Sequence, residues 1–302
     1  MFKLEELRND ATLTEEEFQL IRERILTAVR DRLVARQFMS LRQVPASTQE
    51  YGYDRVKSEF QDAVVVGKGA DFPRDVYDTE RLKLAILKIG DGFTIPREDY
   101  LSGQYRTQSL EQMTRRIAEK EDKLIFDGDA NYLPNGGALD FAGNTLDAGT
   151  SPAWDTATAA VIYSDIIGAA SLLEADKFSG PFTLVVHANE LKNLRKFTSA
   201  EQTTALSLLF GDGEDMAGSA QSGIISRMLV SYGITDGTAL LIAEGADIAE
   251  LVVAEDLTVE EPAYVARQQR FEGNVYERLV PVFYQYGAVA GKSDAICKIT
   301  DL

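Results

Sequence analysis

Apolar positions first recur at helical spacing between residues 14 and 38, where Phe18, Ile21, Ile25, Ala28, Val29 and Leu33 fall on one face. The run Leu13-Thr14-Glu15-Glu16-Glu17-Phe18 supplies a Thr cap, a Glu three residues on and a flanking pair of apolar side chains, so the spacing predicts one helix over 14–38. Glutamates crowd its start, and Arg22, Arg24, Arg30, Arg32 and Arg36 follow, which suits the helix dipole. Glu15, Glu16, Glu17, Glu23 and Asp31 balance those arginines and make a solvated charged face the better reading than a basic patch. From Tyr51 to Ile95 the pattern changes. Asp62-Ala-Val-Val-Val66 and the run from Arg81 to Ile89 are rich in strand formers and are separated by Gly67-Lys68-Gly69 and Pro73, which predicts a long hairpin. The two glycines mark a turn rather than a phosphate loop, because no helix pattern follows them. An isolated two-stranded ribbon is marginal in water, so it needs a surface to lie on.

Ser109-Leu-Glu-Gln112 is a second capping pattern and opens a helix to about Phe126. Leu110, Met113, Ile117 and Leu124 form its apolar stripe; Arg115, Arg116, Glu119, Lys120, Glu121, Asp122 and Lys123 make the opposite side charged. Asp122, Asp127 and Asp129 fit no calcium loop and read as helix end plus turn. Residues 128–152 read as turns and short strands. Ser151-Pro152 starts a third helix to about Ala175 with Trp154, Ala157, Val161, Ile166, Ala169 and Leu173 inward. Strands follow at Pro181 to His187, Ile224 to Tyr232, Ala239 to Ala243 and Leu251 to Val253, with Asn189 capping a short helix to Phe197; this block is a compact α/β lobe. Residues 211–223 are a polar, glycine-rich loop. Tyr264 to Gln269, Val275 to Tyr286 and Ala295 to Ile299 return to sheet, with Pro281 putting its strand at an edge or bulge.

Composition narrows the chemistry. The 302 residues are 45% hydrophobic and 26% charged, enough for one large or two modest domains. No apolar run approaches the roughly 20 residues of a bilayer span, and MFKLEELRND does not resemble a secretory signal, so a mature cytoplasmic chain starting at Met1 is expected, with no membrane partner. A net charge of −17 disfavours sequence-nonspecific binding to phosphate backbones. The single Cys297 and single His187 supply neither a disulfide nor a Cys/His zinc site. Cys297 reads as a small buried side chain and His187, at the end of an apolar strand, as a structural histidine. Dinucleotide, P-loop and kinase glycine motifs are absent, and the 48 acidic residues single out no catalytic pair, so no catalytic, cofactor or metal residues are assigned.

The order of elements resembles the Hong Kong 97 fold shared by tailed-virus major capsid proteins and encapsulin shells. Encapsulins are the nearest local likeness: Leu13-Thr-Glu-Glu-Glu-Phe with Ala35-Arg-Gln-Phe38 is similar to their opening helix, Ile117 to Gly128 to the end of their spine helix, and Gly180 to Val186 to an axial-domain strand. The chain departs from them in Val44-Pro-Ala-Ser-Thr-Gln-Glu-Tyr-Gly52, where they usually carry Gly-Pro-x-Gly, in having no tryptophan of the kind some of them place beside a flavin, and in a longer loop over 200–223. No cofactor is therefore carried over, and the departures favour a viral capsid protein of encapsulin-like build.

The resemblance implies an α+β chain divided into an N-terminal arm and helix (1–50), an extended hairpin or E-loop (51–97), a P-domain with a long spine helix (98–150), an α/β A-domain (151–255) and return strands to the P-domain and E-loop base (256–302). It implies pentamers and hexamers closing into an icosahedral shell around viral double-stranded DNA bound without sequence specificity. Portal, scaffold and cement proteins would be partners, and the capsid would assemble in the host cytoplasm. Val64, Val65, Val66, Lys68, Leu82, Lys83, Leu84, Ile86 and Lys88 would be the E-loop contacts with a neighbour; Leu110, Met113, Arg115, Arg116, Ile117, Glu121 and Leu124 would form the spine. Some relatives crosslink an E-loop lysine to a neighbour's asparagine, but solvated or paired roles suit Lys83 and Lys88 better. An encapsulin shell around a cargo enzyme is the first alternative and a soluble α/β enzyme or binding protein the second.

Overall fold

A computed structural model describes residues 33–56, 65–68, 71, 79–101, 107–134, 136–150, 153–195, 209, 224–244, 248–260, 262–286 and 291–302. In chain order its strands are β1 (Ser40–Gln43), β2 (Glu50–Val56), β3 (Thr79–Ala85), β4 (Leu87–Pro96), β5 (Ala142–Asp147), β6 (Phe182–His187), β7 (Ile225–Ser231), β8 (Thr238–Ala243), β9 (Ala249–Val259), β10 (Ala263–Val265), β11 (Arg270–Phe283) and β12 (Ser293–Thr300). The helices are α1 (Arg97–Leu101), α2 (Thr107–Phe126), α3 (Ala138–Phe141), α4 (Ala159–Ala175) and α5 (Leu191–Leu194). Most of the helix expected over 14–38 lies outside the described residues, and its last part is a 3-10 turn at Ala35–Gln37.

Two sheets and a ribbon organise these elements. The lobe sheet runs β5-β12-β8-β6-β7. Its inner strands are continuous apolar runs because both faces are covered: Leu184, Val185, Val186, Leu240, Leu241 and Ile296 are all fully buried. Helix α4 packs on it through Ile162, Ile166, Ala169 and Leu173. The frame sheet runs β1-β9-β11-β10, with β4 pairing along the other side of β11 from Leu87↔Leu279 to Pro96↔Arg270. Phe93 lies over Gly273, where a Cβ would sit 2.4 Å from the ring, so this crossing requires glycine. Helix α2 packs on the frame through Met113, Ile117 and Ala118 against Phe93, Ile95, Leu257, Val259 and Val275. It ends at Phe126, two residues before Gly128, whose φ of +78° and close approach to the Gly137 backbone exclude any side chain.

Several sequence expectations are corrected. The run from Arg81 to Ile89 is not one strand: it breaks at Ile86, and Leu87–Pro96 leaves the hairpin to join the frame. The segment assigned to the E-loop, 51–97, thus holds both ribbon strands and one frame strand. Val65 and Val66 are not in a strand, and Val64 lies outside the described residues. Helix α2 begins by Thr107, so Ser109 is inside it rather than at its cap. Helix α4 starts at Ala159; Trp154 belongs to the preceding turn yet is fully buried, and Val161 is half-buried. Asn189 caps nothing: it lies in a 3-10 turn over Ala188–Glu190, and its backbone N–H donates to His187 Nδ1. The expected strand from Tyr264 to Gln269 is only β10, followed by a turn in which Gln269 has positive φ. The A-domain limit at 255 falls inside β9, a frame strand, while β5 and β12, assigned to the P-domain and its return, belong to the lobe sheet. Pro281 pairs only with β9, since β4 ends opposite Leu279, which is the edge position its missing N–H requires.

Candidate functional site

The ribbon is built from one apolar and one polar face. Tyr51, Tyr53 and Arg55 lie opposite Leu84, Leu82 and Glu80, and this face turns onto the chain's own body. Tyr53 and Leu84 are buried in the main core, Leu82 packs against it, and Tyr53 meets Tyr284 edge-to-face with centroids 6.0 Å apart. The base is also fixed by polar contacts. Tyr284 donates to Glu250 at 2.7 Å, Arg42 donates to Tyr51, and Arg278 donates to the carbonyls of Ala46 and Thr48. Burial and the acceptor Glu250 push the Tyr284 phenol well above its ordinary value. Part of the surface that the ribbon needs is thus supplied by its own chain, which anchors its base.

The predicted contact residues consequently divide. Leu84 belongs to the chain's own core; Ile86 packs against it and donates its backbone N–H to Gln49 at 2.8 Å. Lys88 sits on β4 with its ammonium 3.8 Å from the centroid of Tyr276. Lys83 and Lys68 are exposed, Val66 is half-buried and Val65 is 99% exposed. Leu41, at 58% exposure on the edge strand β1, is a second apolar side chain left in water.

Helix α2 buries Met113, Ile117 and Leu124 in the core and carries Leu110. Arg115 and Arg116 are exposed and pair with Glu119 at 2.8 Å and Asp91 at 3.5 Å. Glu121 and Asp122, read as part of the charged face, are buried instead. Arg36 bonds Glu121 at 2.7 and 2.8 Å, Asp256 at 2.8 Å and Glu277 at 3.0 Å. Burial works against the Arg36 charge, yet its carboxylate partners outweigh burial and raise its pKa. Asp122 accepts from the Ala35 backbone at 3.0 Å and the Ser231 hydroxyl at 2.9 Å, and burial lifts it to about 7. Burial and the neighbouring Glu121 hold Glu277 well above the usual carboxylate range. The sequence reading missed this cluster, although one sign was available: Glu121 falls four residues after Ile117 and three before Leu124, on the apolar stripe.

His187 lies 2.9 Å from Asp236 and edge-on to Tyr232, at the end of β6. Cys297 is buried in β12, and burial pushes its thiol up to about 12, which makes it unreactive as a nucleophile at neutral pH. Among the described residues no group of three or more His, Cys, Asp or Glu is arranged to hold a metal, and no helix is long and apolar enough to cross a membrane.

The family described as encapsulating protein for peroxidase (Linocin_M18) matches residues 6–272. The chain belongs to this family. No curated protein matches the encapsulating-protein chain in sequence. Among solved structures, the virus-like particle of Pyrococcus furiosus is similar at a TM-score of 0.65 and 14% identity, covering 94% of this chain and 99% of its own. The capsid of Myoviridae phage XM1 follows at 0.60 and 10%, covering 87% and 90%, and Mycobacterium phage Adephagia at 0.60 and 13%, covering 89% of each. At such identities the likeness establishes the fold, which is that of Hong Kong 97 shell proteins, with the ribbon, spine helix, frame and lobe described above. The encapsulating-protein chain is a shell-forming protein.

Proposed function

We propose that the chain is the subunit of an encapsulating compartment, closing through rings of five and six copies into a shell around a protein cargo in the cell that makes it. The family match over residues 6–272 carries this reading. The sequence pattern alone puts a viral capsid first; the family match supports the encapsulating reading at least as well. In the proposed shell the outer ribbon, with Val65, Lys68 and Lys83, lies on the next copy. A fully exposed valine is the kind of side chain such a contact covers. The anchored base then aims the ribbon instead of supplying the contact. Contacts of this kind need only be modest singly, because each subunit makes several at once. The role is structural, with no catalysis by the shell chain.

The second reading, a viral capsid around double-stranded DNA with portal, scaffold and cement proteins, is favoured by the similarity to phage capsids. The charge of −17 suits either interior, since such a wall does not hold DNA tightly. Expression of the full chain alone, followed by size-exclusion chromatography and negative-stain electron microscopy, tests the shared part: closed particles of megadalton size are expected, and a monomer or small oligomer overturns it. Adjacent genes separate the readings: a peroxidase or ferritin-like cargo is expected, whereas terminase and portal genes establish the viral one.

A further inference from the structure

The buried cluster beneath the spine helix joins parts of the chain far apart in sequence. Arg36 reaches from the 33–39 segment to Glu121 on α2, Asp256 on β9 and Glu277 on β11. Its Nη2 atom donates to both Glu121 Oε2 at 2.8 Å and Glu277 Oε2 at 3.0 Å, so two carboxyl groups converge on one nitrogen. Glu277 Oε1 is buried and has no donor facing it. As a carboxylate, Glu277 would leave a charged oxygen bare in a dry site; as an acid, it holds its proton toward Glu121 through the other oxygen, the bare oxygen is an uncharged carbonyl, and one guanidinium then balances one buried carboxylate. From β4 the residue opposite is Ile89, which brings no charge, and Asp256, half exposed, adds only negative charge.

Asp122 repeats the arrangement one residue on. It ties the same segment through the Ala35 N–H and the Ser231 hydroxyl, with Glu121 as its nearest like charge. A cavity of about 350 Å³ lined by Val34, Arg115, Glu119, Asp122, Ser231 and Tyr232 runs along this seam and lets water reach Asp122. Arg115 is already committed to Glu119, so among the described residues Asp122 has no dedicated cation.

We propose that Arg36, Glu121, Asp122 and Glu277 form a pH-operated latch that clamps residues 33–39 to the spine helix while Glu277 and Asp122 hold protons, and releases that segment once both ionise. Ionisation puts two further negative charges beside Glu121, with Arg36 the one cation bonded to the cluster among the described residues, and opening the seam to water relieves the repulsion. Burial sets the window at neutral pH and above, since Asp122 titrates near 7 and Glu277 is held up by burial and by Glu121. The latch does not depend on what the protein encloses.

Hydrogen–deuterium exchange of the full-length protein at about pH 6 and about pH 9, with labelling times scaled for the intrinsic rate, reads the latch in peptides covering 33–39. Protection there is expected to fall about tenfold or more at the higher pH, while peptides from β8 stay unchanged. The double variant Glu277→Gln with Asp122→Asn keeps the shape of the protonated groups and is expected to hold its protection at both values. Equal protection of the wild type at the two pH values overturns the proposal without reference to any variant. A double variant that loses protection as the wild type does overturns it too, by assigning the opening to other groups.

Discussion

The lobe and the ribbon are both β-structure, yet they are held by different means. Strand β6 is paired on both sides, by β7 and β8, and five of its six residues are buried. Strand β3 is paired only by β2, and its burial alternates so that Leu84 alone of its seven residues is buried. The lobe's order comes from apolar area removed from water on two faces, and the ribbon's from one face seated on Tyr284 and the frame. Stability is therefore concentrated in the lobe, whereas the ribbon strands β2 and β3 leave one face, with Lys83, in water.

The largest test of that division is Leu184→Ala in the centre of β6. Leu184 is fully buried among strands that cannot collapse into the void, so a loss of roughly 3–5 kcal/mol is expected from urea unfolding. A cost near 1 kcal/mol would place the stability elsewhere.

Next in size is a pH effect at the seam between frame and lobe. The folded chain raises Asp122 from 3.8 to about 7, so between those values the folded state binds a proton that the unfolded state does not. The stabilisation from Asp122 is fully present below about pH 4 and is lost as pH rises to about 7, a change of up to about 4 kcal/mol. Glu277 acts in the same direction. Urea midpoints recorded across this range should show the fall, and Asp122→Asn should flatten it. A wild-type profile that rises with pH would show that Asp122 does not govern it.

Leu84→Ala examines the ribbon's own anchor. The side chain is buried but lies at the rim of the core on a singly paired strand, so about 2 kcal/mol is expected, less than at Leu184. Particle yield by electron microscopy should fall more than this stability loss suggests, because a mis-aimed ribbon fails at every contact of the shell.

How far the fold was legible follows the same division. Strands β6 and β8 were readable to within a few residues because continuous apolar runs mark strands covered on both faces, and β7 and β12 because clusters of strand formers mark them. Strand β9 was seen only at Leu251 to Val253. Its later residues Glu255 and Asp256 look like a loop until Arg278 and Arg36 are placed beside them. The split at Ile86 was invisible because the same strand formers serve the ribbon before it and the frame after it. The charge cluster was hidden for a plainer reason: Arg36 is 85 residues from Glu121 and 241 from Glu277, and no local pattern reports a pairing at that distance. Trp154 shows the converse, a residue correctly placed inward although the helix assigned to it starts later.

Lys83→Ala should have the smallest effect on stability and separates the ribbon's two possible uses of this lysine. Its ammonium is 3.7 Å from Glu50, and the two side chains are 70% and 64% exposed, so the pair is screened by water and its loss should move the urea midpoint by less than about 0.5 kcal/mol. A covalent link from Lys83 to a neighbouring copy would instead appear when assembled particles are boiled in detergent, as bands at multiples of the subunit mass that vanish in the variant. A single monomer band from both proteins is expected, since Lys83 is paired to Glu50 and open to solvent, with nothing beside it among the described residues to activate it as a nucleophile. If the bands appear, the ribbon's outer face is a bonding surface, and the contrast with the lobe becomes one of covalent against packed stability.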